Sequence, residues 1–123
     1  MEIKRLPDAE LTVMQAIWSC KAPATRADIE SILKNKHPMA ATTLLTLLSR
    51  LNERGFIETQ KIGRSGVYTP IVTEREYLAA QSKSFVKKLC GGSMSAFANA
   101  LCDSGLTKEE LAELRELLDR GEL

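Results

Sequence analysis

Apolar positions along this chain fall first at helical spacing, then at the alternating spacing of strands, then at helical spacing again. Leu11, Met14, Ile17 and Trp18 recur every three or four residues and predict a first helix ending near Cys20, with Asp8 as its N-cap after Leu6-Pro7. Lys21-Ala22-Pro23-Ala24 reads as a connector that can carry a short strand. Thr25 with Asp28 resembles a capping box and opens a second helix to about Lys34, with Ile29, Ile32 and Leu33 inward. Asn35-Lys36-His37-Pro38 is the turn, because the residue before a proline avoids helical backbone.

The third helix, from about Ala41 to Arg54 with Gly55 as its C′ residue, is the most informative element. At 100° per residue, Leu44, Leu47, Leu48 and Leu51 gather on one side. Thr42, Thr43, Thr46, Ser49, Arg50 and Glu53 gather opposite, within an arc of about 120°. Leu45 falls at the border. Phe56–Gln60 and Gly66–Pro70 then alternate as two strands around Lys61-Ile62-Gly63-Arg64-Ser65-Gly66, a tight turn with charge at its tip. This order of parts predicts a winged helix-turn-helix.

Beyond Pro70 the character changes. Thr73 opens a long helix to about Leu89 with Tyr77, Leu78, Phe85, Val86 and Leu89 as apolar positions, stopped by Gly91-Gly92. Ser93 caps a short helix bearing Met94, Phe97 and Leu101, and Gly105 breaks it. Thr107 and Glu110 form a capping box for a last helix with Leu111, Leu114, Leu117 and Leu118. The expected architecture is mainly α with a small β-hairpin: a winged helix-turn-helix domain over residues 1–72 and a short all-α dimerisation domain over 73–123. Three short helices cannot bury these stripes alone, so a second copy is the expected cover. An intramolecular core is the competing reading of the same leucines.

Composition narrows the function. The net charge of +1 on its face argues weakly against nucleic acid, but its distribution says more. Residues 1–72 carry ten Lys/Arg against seven Asp/Glu, a net of +3, while residues 73–123 carry seven against nine, a net of −2. Positive charge therefore travels with the winged segment, where it would meet phosphate. No apolar run is long enough to span a bilayer, and Met1-Glu2-Ile3-Lys4-Arg5 lacks the apolar stretch of a signal peptide, so a cytoplasmic location is expected. Cys20, Cys90 and Cys102 form no C-x-x-C pair. Neither a disulfide framework nor a metal site is expected, and Cys20 and Cys102 read as small core residues. A single histidine, His37, sits beside Pro38 as a turn residue. Without a phosphate loop or a metalloprotease motif, catalysis and a cofactor are not expected.

On the third helix, threonine hydroxyls can donate to or accept from base edges and threonine methyls can pack on thymine. Arg50, further along the same face, would meet phosphate. Lys61 and Arg64 at the wing tip would reach phosphate or the minor groove. Lys4, Arg5, Lys34 and Lys36 are weaker candidates. An ordinary solvated face is the competing reading for each of these. Two other functions remain open on the residues alone: a winged-helix module for binding proteins, and a DNA-binding regulator controlled by a small effector.

The stretches Leu6-Pro7-Asp8-Ala9-Glu10-Leu11-Thr12-Val13-Met14-Gln15-Ala16-Ile17-Trp18, Thr43-Leu44-Leu45-Thr46-Leu47-Leu48-Ser49-Arg50-Leu51 and Lys87-Lys88-Leu89-Cys90-Gly91-Gly92-Ser93-Met94 resemble the penicillinase-repressor family of BlaI/MecI type. The resemblance covers about Leu6 to Arg120. It implies a homodimeric repressor whose winged heads bind a palindromic operator in double-stranded DNA and whose C-terminal helices interlock through Leu78, Phe85, Leu89, Met94, Phe97, Leu101, Leu111, Leu114, Leu117 and Leu118. It further implies relief when a membrane sensor or protease, acting indirectly, triggers cleavage at the bond that falls at Ala100-Leu101 here. Thr43, Thr46 and Arg50 match the family. Thr42 and Leu45 stand where β-lactam-responsive members often carry Lys and Arg, and Leu45 can touch a thymine methyl but cannot hydrogen-bond guanine. The paired C-x-C motifs of the copper-responsive branch are absent.

Overall fold

A computed structural model describes residues 3–121. Its elements follow the order α1 (Asp8–Ser19), β1 (Ala24–Thr25), α2 (Arg26–Lys36), α3 (Ala41–Glu53), β2 (Ile57–Ile62), β3 (Ser65–Pro70), α4 (Glu74–Lys88), α5 (Met94–Asp103) and α6 (Lys108–Arg120). The fold is a winged helix-turn-helix followed by a helical tail. Met1 and Glu2, part of the opening read above for a leader, lie outside the described residues.

Two compact units divide the chain, 1–81 and 82–123. The division falls inside α4, later than the 72/73 boundary expected from the sequence. The reason is Tyr77. The sequence grouped it with the apolar positions of the tail helix, yet its ring lies 5.6 Å from Trp18 and 5.8 Å from Phe56, and it is buried in the first unit. Its hydroxyl accepts the Leu6 backbone N–H at 2.9 Å, and Trp18 Nε1 donates to the Val72 carbonyl at 2.9 Å. These two bonds satisfy polar groups that burial would otherwise leave unpaired.

The core of this unit joins Val13, Met14 and Ile17 of α1, Ile29 and Leu33 of α2, and Leu44, Leu47, Leu48 and Leu51 of α3 to Phe56, Ile57 and Tyr68 of the sheet. The sheet has the order β1-β3-β2 and is antiparallel throughout. The pair Ile62↔Ser65 closes the hairpin around Gly63 and Arg64, so both strands run nearer the tip than the sequence suggested. Gly63 has φ +66°, the sign a type II′ turn needs at its first central position.

Helix ends follow the sequence in most places. The capping boxes at Thr25/Asp28 and Thr107/Glu110 are both formed, and Ser93 caps α5. The first helix differs: Pro7 occupies its N-cap, and Asp8 lies within the first turn and makes no side-chain cap. Proline at the cap carries no N–H to satisfy. The second helix runs two residues further than expected, to Lys36, with His37 at its C-cap. Gly55, at φ +79°, ends α3 in a Schellman arrangement: Phe56 N–H donates to the Leu51 carbonyl at 3.0 Å and Gly55 N–H to the Asn52 carbonyl at 3.1 Å.

In the second unit no described residue is buried. Phe85 and Phe97 meet edge to face at 5.9 Å, but Leu89, Met94 and Leu118 remain exposed and the other apolar positions of the stripes are only partly covered. No described helix is long and apolar enough to cross a membrane.

Candidate nucleic-acid interface

The packing of α3 decides what it can offer. Its four leucines Leu44, Leu47, Leu48 and Leu51 are buried, which turns Thr42, Thr43, Thr46, Ser49 and Arg50 to the outside. The Thr46 hydroxyl donates to the Thr42 carbonyl at 3.0 Å. In that rotamer its proton is used within the helix, and its oxygen is left as an acceptor facing outward.

Leu45 is 42% exposed. It opens onto a groove of about 580 Å³ that is also lined by Thr25, Arg26, Lys61, Arg64 and Tyr68. From α3 the lining takes Leu45, so the groove joins the edge of the outer α3 face to the wing, and Leu45, Lys61 and Arg64 border one concave surface. Lys61 and Arg64 are exposed around the two-residue turn. Ile62, not singled out in the sequence, is 63% exposed between them. The signal was available: the two-residue period counted from buried Ile57 puts Ile62 on the solvent side.

The cations of the wing and of the outer α3 face are uncompensated by ion pairs among the described residues. Among the described residues, Arg5 pairs with Asp8, Arg26 with Glu30 and Arg54 with Glu10, whereas Arg50, Lys61 and Arg64 are in no ion pair. Lys4, Lys34 and Lys36 are exposed as well. Of the cations that border the groove, Lys61 and Arg64 are thus free to meet an anionic ligand, whereas Arg26 is paired with Glu30, which lines the groove as well.

The Glu10–Arg54 pair had no counterpart in the sequence reading. Glu10 is 2% exposed, and it accepts from Arg54 Nε at 2.6 Å and from Arg54 Nη2 at 3.4 Å. A buried carboxylate persists only when paired and hydrogen-bonded, and this two-point contact supplies both. Nothing local in the sequence signals a partner so distant along the chain.

In the tail, Leu78, Phe85, Leu89, Met94 and Leu118 are exposed, and Phe97, Leu101, Leu111, Leu114 and Leu117 are partly buried. Ala100 and Leu101 lie within α5. The expectation that Cys102 is a core residue is corrected, since it is exposed, whereas Cys20 is partly buried and packs against the core. Cys102 lies in α5, in a unit where no described residue is buried. Burial, and then the nearby Asp28 charge, push the Cys20 thiol above its ordinary value. Glu76 is held below the ordinary carboxylate value by the Thr73 backbone N–H and hydroxyl, which form the cap of α4. Among the described residues no group of His, Cys, Asp and Glu is arranged to hold a metal ion.

The model of the penicillinase repressor family matches residues 6–120. The penicillinase repressor of Bacillus licheniformis is 33% identical over 96% of this chain and 92% of its own length. The methicillin resistance regulatory protein MecI of Staphylococcus aureus is 32% identical over 94% of each chain. Among solved structures, the monomeric form of Bacillus licheniformis BlaI in complex with the blaP half-operator matches with a TM-score of 0.51 and 33% identity, covering 62% of this chain and 92% of that one. The chain belongs to the penicillinase repressor family, which is a family of repressors and not of enzymes.

Proposed function

We propose that this protein is a homodimeric transcriptional repressor, acting in the cytoplasm, that grips an inverted-repeat operator through the major groove. The observation that carries the reading is an outward α3 face of Thr42, Thr43, Thr46 and Arg50 whose bordering Leu45 shares a groove with Lys61 and Arg64 of the wing, neither of them in an ion pair among the described residues. The half-operator bound by the related BlaI structure supports duplex DNA as the ligand. Thr43 and Thr46 read base edges, Leu45 packs on a thymine methyl, and Arg50, Lys61 and Arg64 hold phosphates.

The tail supports the second copy. A unit with no buried described residue, yet with Leu89 74% exposed and Leu118 58% exposed, lacks a core of its own. Covering one such leucine contributes about 1.5–3 kcal/mol. Two heads on a two-fold axis then call for two half-sites, and the second head binds at high effective concentration. Cutting Ala100-Leu101 would remove α6 and its leucines from the tail and so weaken the pairing. Because that bond is helical, a protease must first unwind α5 to reach it.

Selection of duplexes from a randomised pool by the full chain tests the reading. The expected product is an inverted repeat bound by two copies. Recovery of sequences without symmetry, or of none above background, refutes it. Mass spectrometry of the protein from cells treated with a β-lactam tests relief: fragments 1–100 and 101–123 are expected, and an intact chain during induction excludes cleavage at that bond.

A further inference from the structure

The C-terminal turn of α3 is held by side chains from two other elements. Arg54, at the C-cap, is gripped at two points by buried Glu10 of α1. Asn52 Oδ1, in the last turn, accepts the Thr59 hydroxyl of β2 at 3.0 Å. The Schellman arrangement at Gly55 fixes the backbone between these two anchors.

We infer that Glu10–Arg54 and Asn52–Thr59 are positioning pairs that fix the orientation of α3 against α1 and the wing, and so set how sharply the protein tells its operator from other DNA. The inference rests on the DNA-binding reading above.

The buried face of α3 is entirely leucine. Apolar packing is non-directional, so a leucine face alone tolerates small swings and slides of the helix. With the carboxylate buried and the guanidinium 44% exposed, this ion pair adds little net stability, because desolvation of Glu10 and solvent screening of Arg54 offset the attraction. What it adds is geometry, since a fork of two N–H donors meets a carboxylate in one plane. Thr59 to Asn52 supplies a second fixed direction on the opposite side, toward the wing.

The lever is long. At 1.5 Å rise per residue, Thr43 lies about 16 Å from Arg54 along the helix axis. A swing of about 10° at the anchored end would therefore move the Thr43 hydroxyl by about 3 Å, more than a base hydrogen bond allows. Phosphate contacts from long, flexible cations absorb such a shift. Loss of the anchors should therefore cost discrimination and spare general affinity.

The test uses the full chain and two duplexes: the sequence that the wild-type protein selects from a randomised pool, and a scrambled duplex of the same composition. The paired substitution Glu10→Leu with Arg54→Met keeps the site filled without the ion pair. Thr59→Val removes the hydroxyl and Thr59→Ser restores it. Because Thr59 also lines the groove, Asn52→Ala, which removes the acceptor from outside the groove, must reproduce the effect of Thr59→Val, and a wild-type ratio in Asn52→Ala overturns the inference. Both the double variant and Thr59→Val are expected to lower the ratio of selected to scrambled affinity at least tenfold. Scrambled affinity should stay within twofold of wild type, with an unchanged salt slope. Thr59→Ser is expected to keep the wild-type ratio. A wild-type ratio in Thr59→Val, or in the folded double variant, overturns the inference while the DNA reading stands. Should the double variant lose its cooperative unfolding transition, Thr59→Val and Asn52→Ala decide. A wild-type chain with no preference between the duplexes brings down both the inference and the reading it rests on.

Discussion

Arg64→Ala gives a quantitative test of the wing. Arg64 occupies one of the two turn positions of the hairpin, is exposed, and is in none of the ion pairs among the described residues. Its removal should therefore disturb neither the core nor another side chain. If each wing neutralises one phosphate through Arg64, each loses about 0.9 from the slope of log affinity against log salt. Two heads on one duplex lose about 1.8. Between 50 and 200 mM salt, wild-type affinity should then fall about 12-fold further than that of the variant. Fluorescence anisotropy of a labelled duplex across that salt range measures both slopes. Lys61→Ala should behave alike, and Lys108→Ala, at the start of α6, should leave the slope as it is. A slope unchanged in Arg64→Ala would refute the wing contact, however much the affinity itself moved.

Three further outcomes follow from the packing and the shifted groups. Tyr77→Phe leaves the buried Leu6 N–H without its acceptor, which should cost about 1–3 kcal/mol in urea unfolding; an unchanged midpoint would contradict the role given to that hydroxyl. Glu76 has a folded value depressed by the α4 cap, so its stabilisation is present above the unfolded carboxylate value and is lost as pH falls through the folded one. Acid unfolding of Glu76→Gln should accordingly lose less stability over that window than the wild type, and equal losses would count against the cap. Iodoacetamide followed by mass spectrometry should label exposed Cys102 before Cys20, and Asp28→Asn should quicken Cys20 by removing a charge that holds its thiol up; the reverse order would show the coverage of Cys20 to be misassigned.

Much of the fold was legible because its signals are local. The α3 leucine period, the capping boxes at Thr25 and Thr107, and Gly63 between two alternating strands each fix an element from a few neighbouring residues. The outward turn of Thr42, Thr43, Thr46 and Arg50 follows from the same period, since burying one face of a helix dictates the other. What was not legible depends on distant partners. Tyr77 has a helical apolar spacing that fits either unit, and only the contacts with Trp18 and Phe56 assign it to the head. Glu10 reads as an ordinary acidic residue in a first helical turn until Arg54 arrives from the end of α3. Asp8 has the right chemistry for a cap but stands one residue inside the helix, a displacement that propensity does not resolve.

The central claim is that two copies place their α3 faces in successive major grooves on one side of a duplex. Dimethyl sulfate probing of guanine N7, which lies in the major groove, tests it most directly on a duplex selected by the protein. Protection in two clusters about 10 base pairs apart is the expected pattern, disappearing when the tail leucines Leu114 and Leu118 are changed to Glu. A single protected cluster in the wild-type complex, or binding that leaves every guanine N7 reactive, would contradict it.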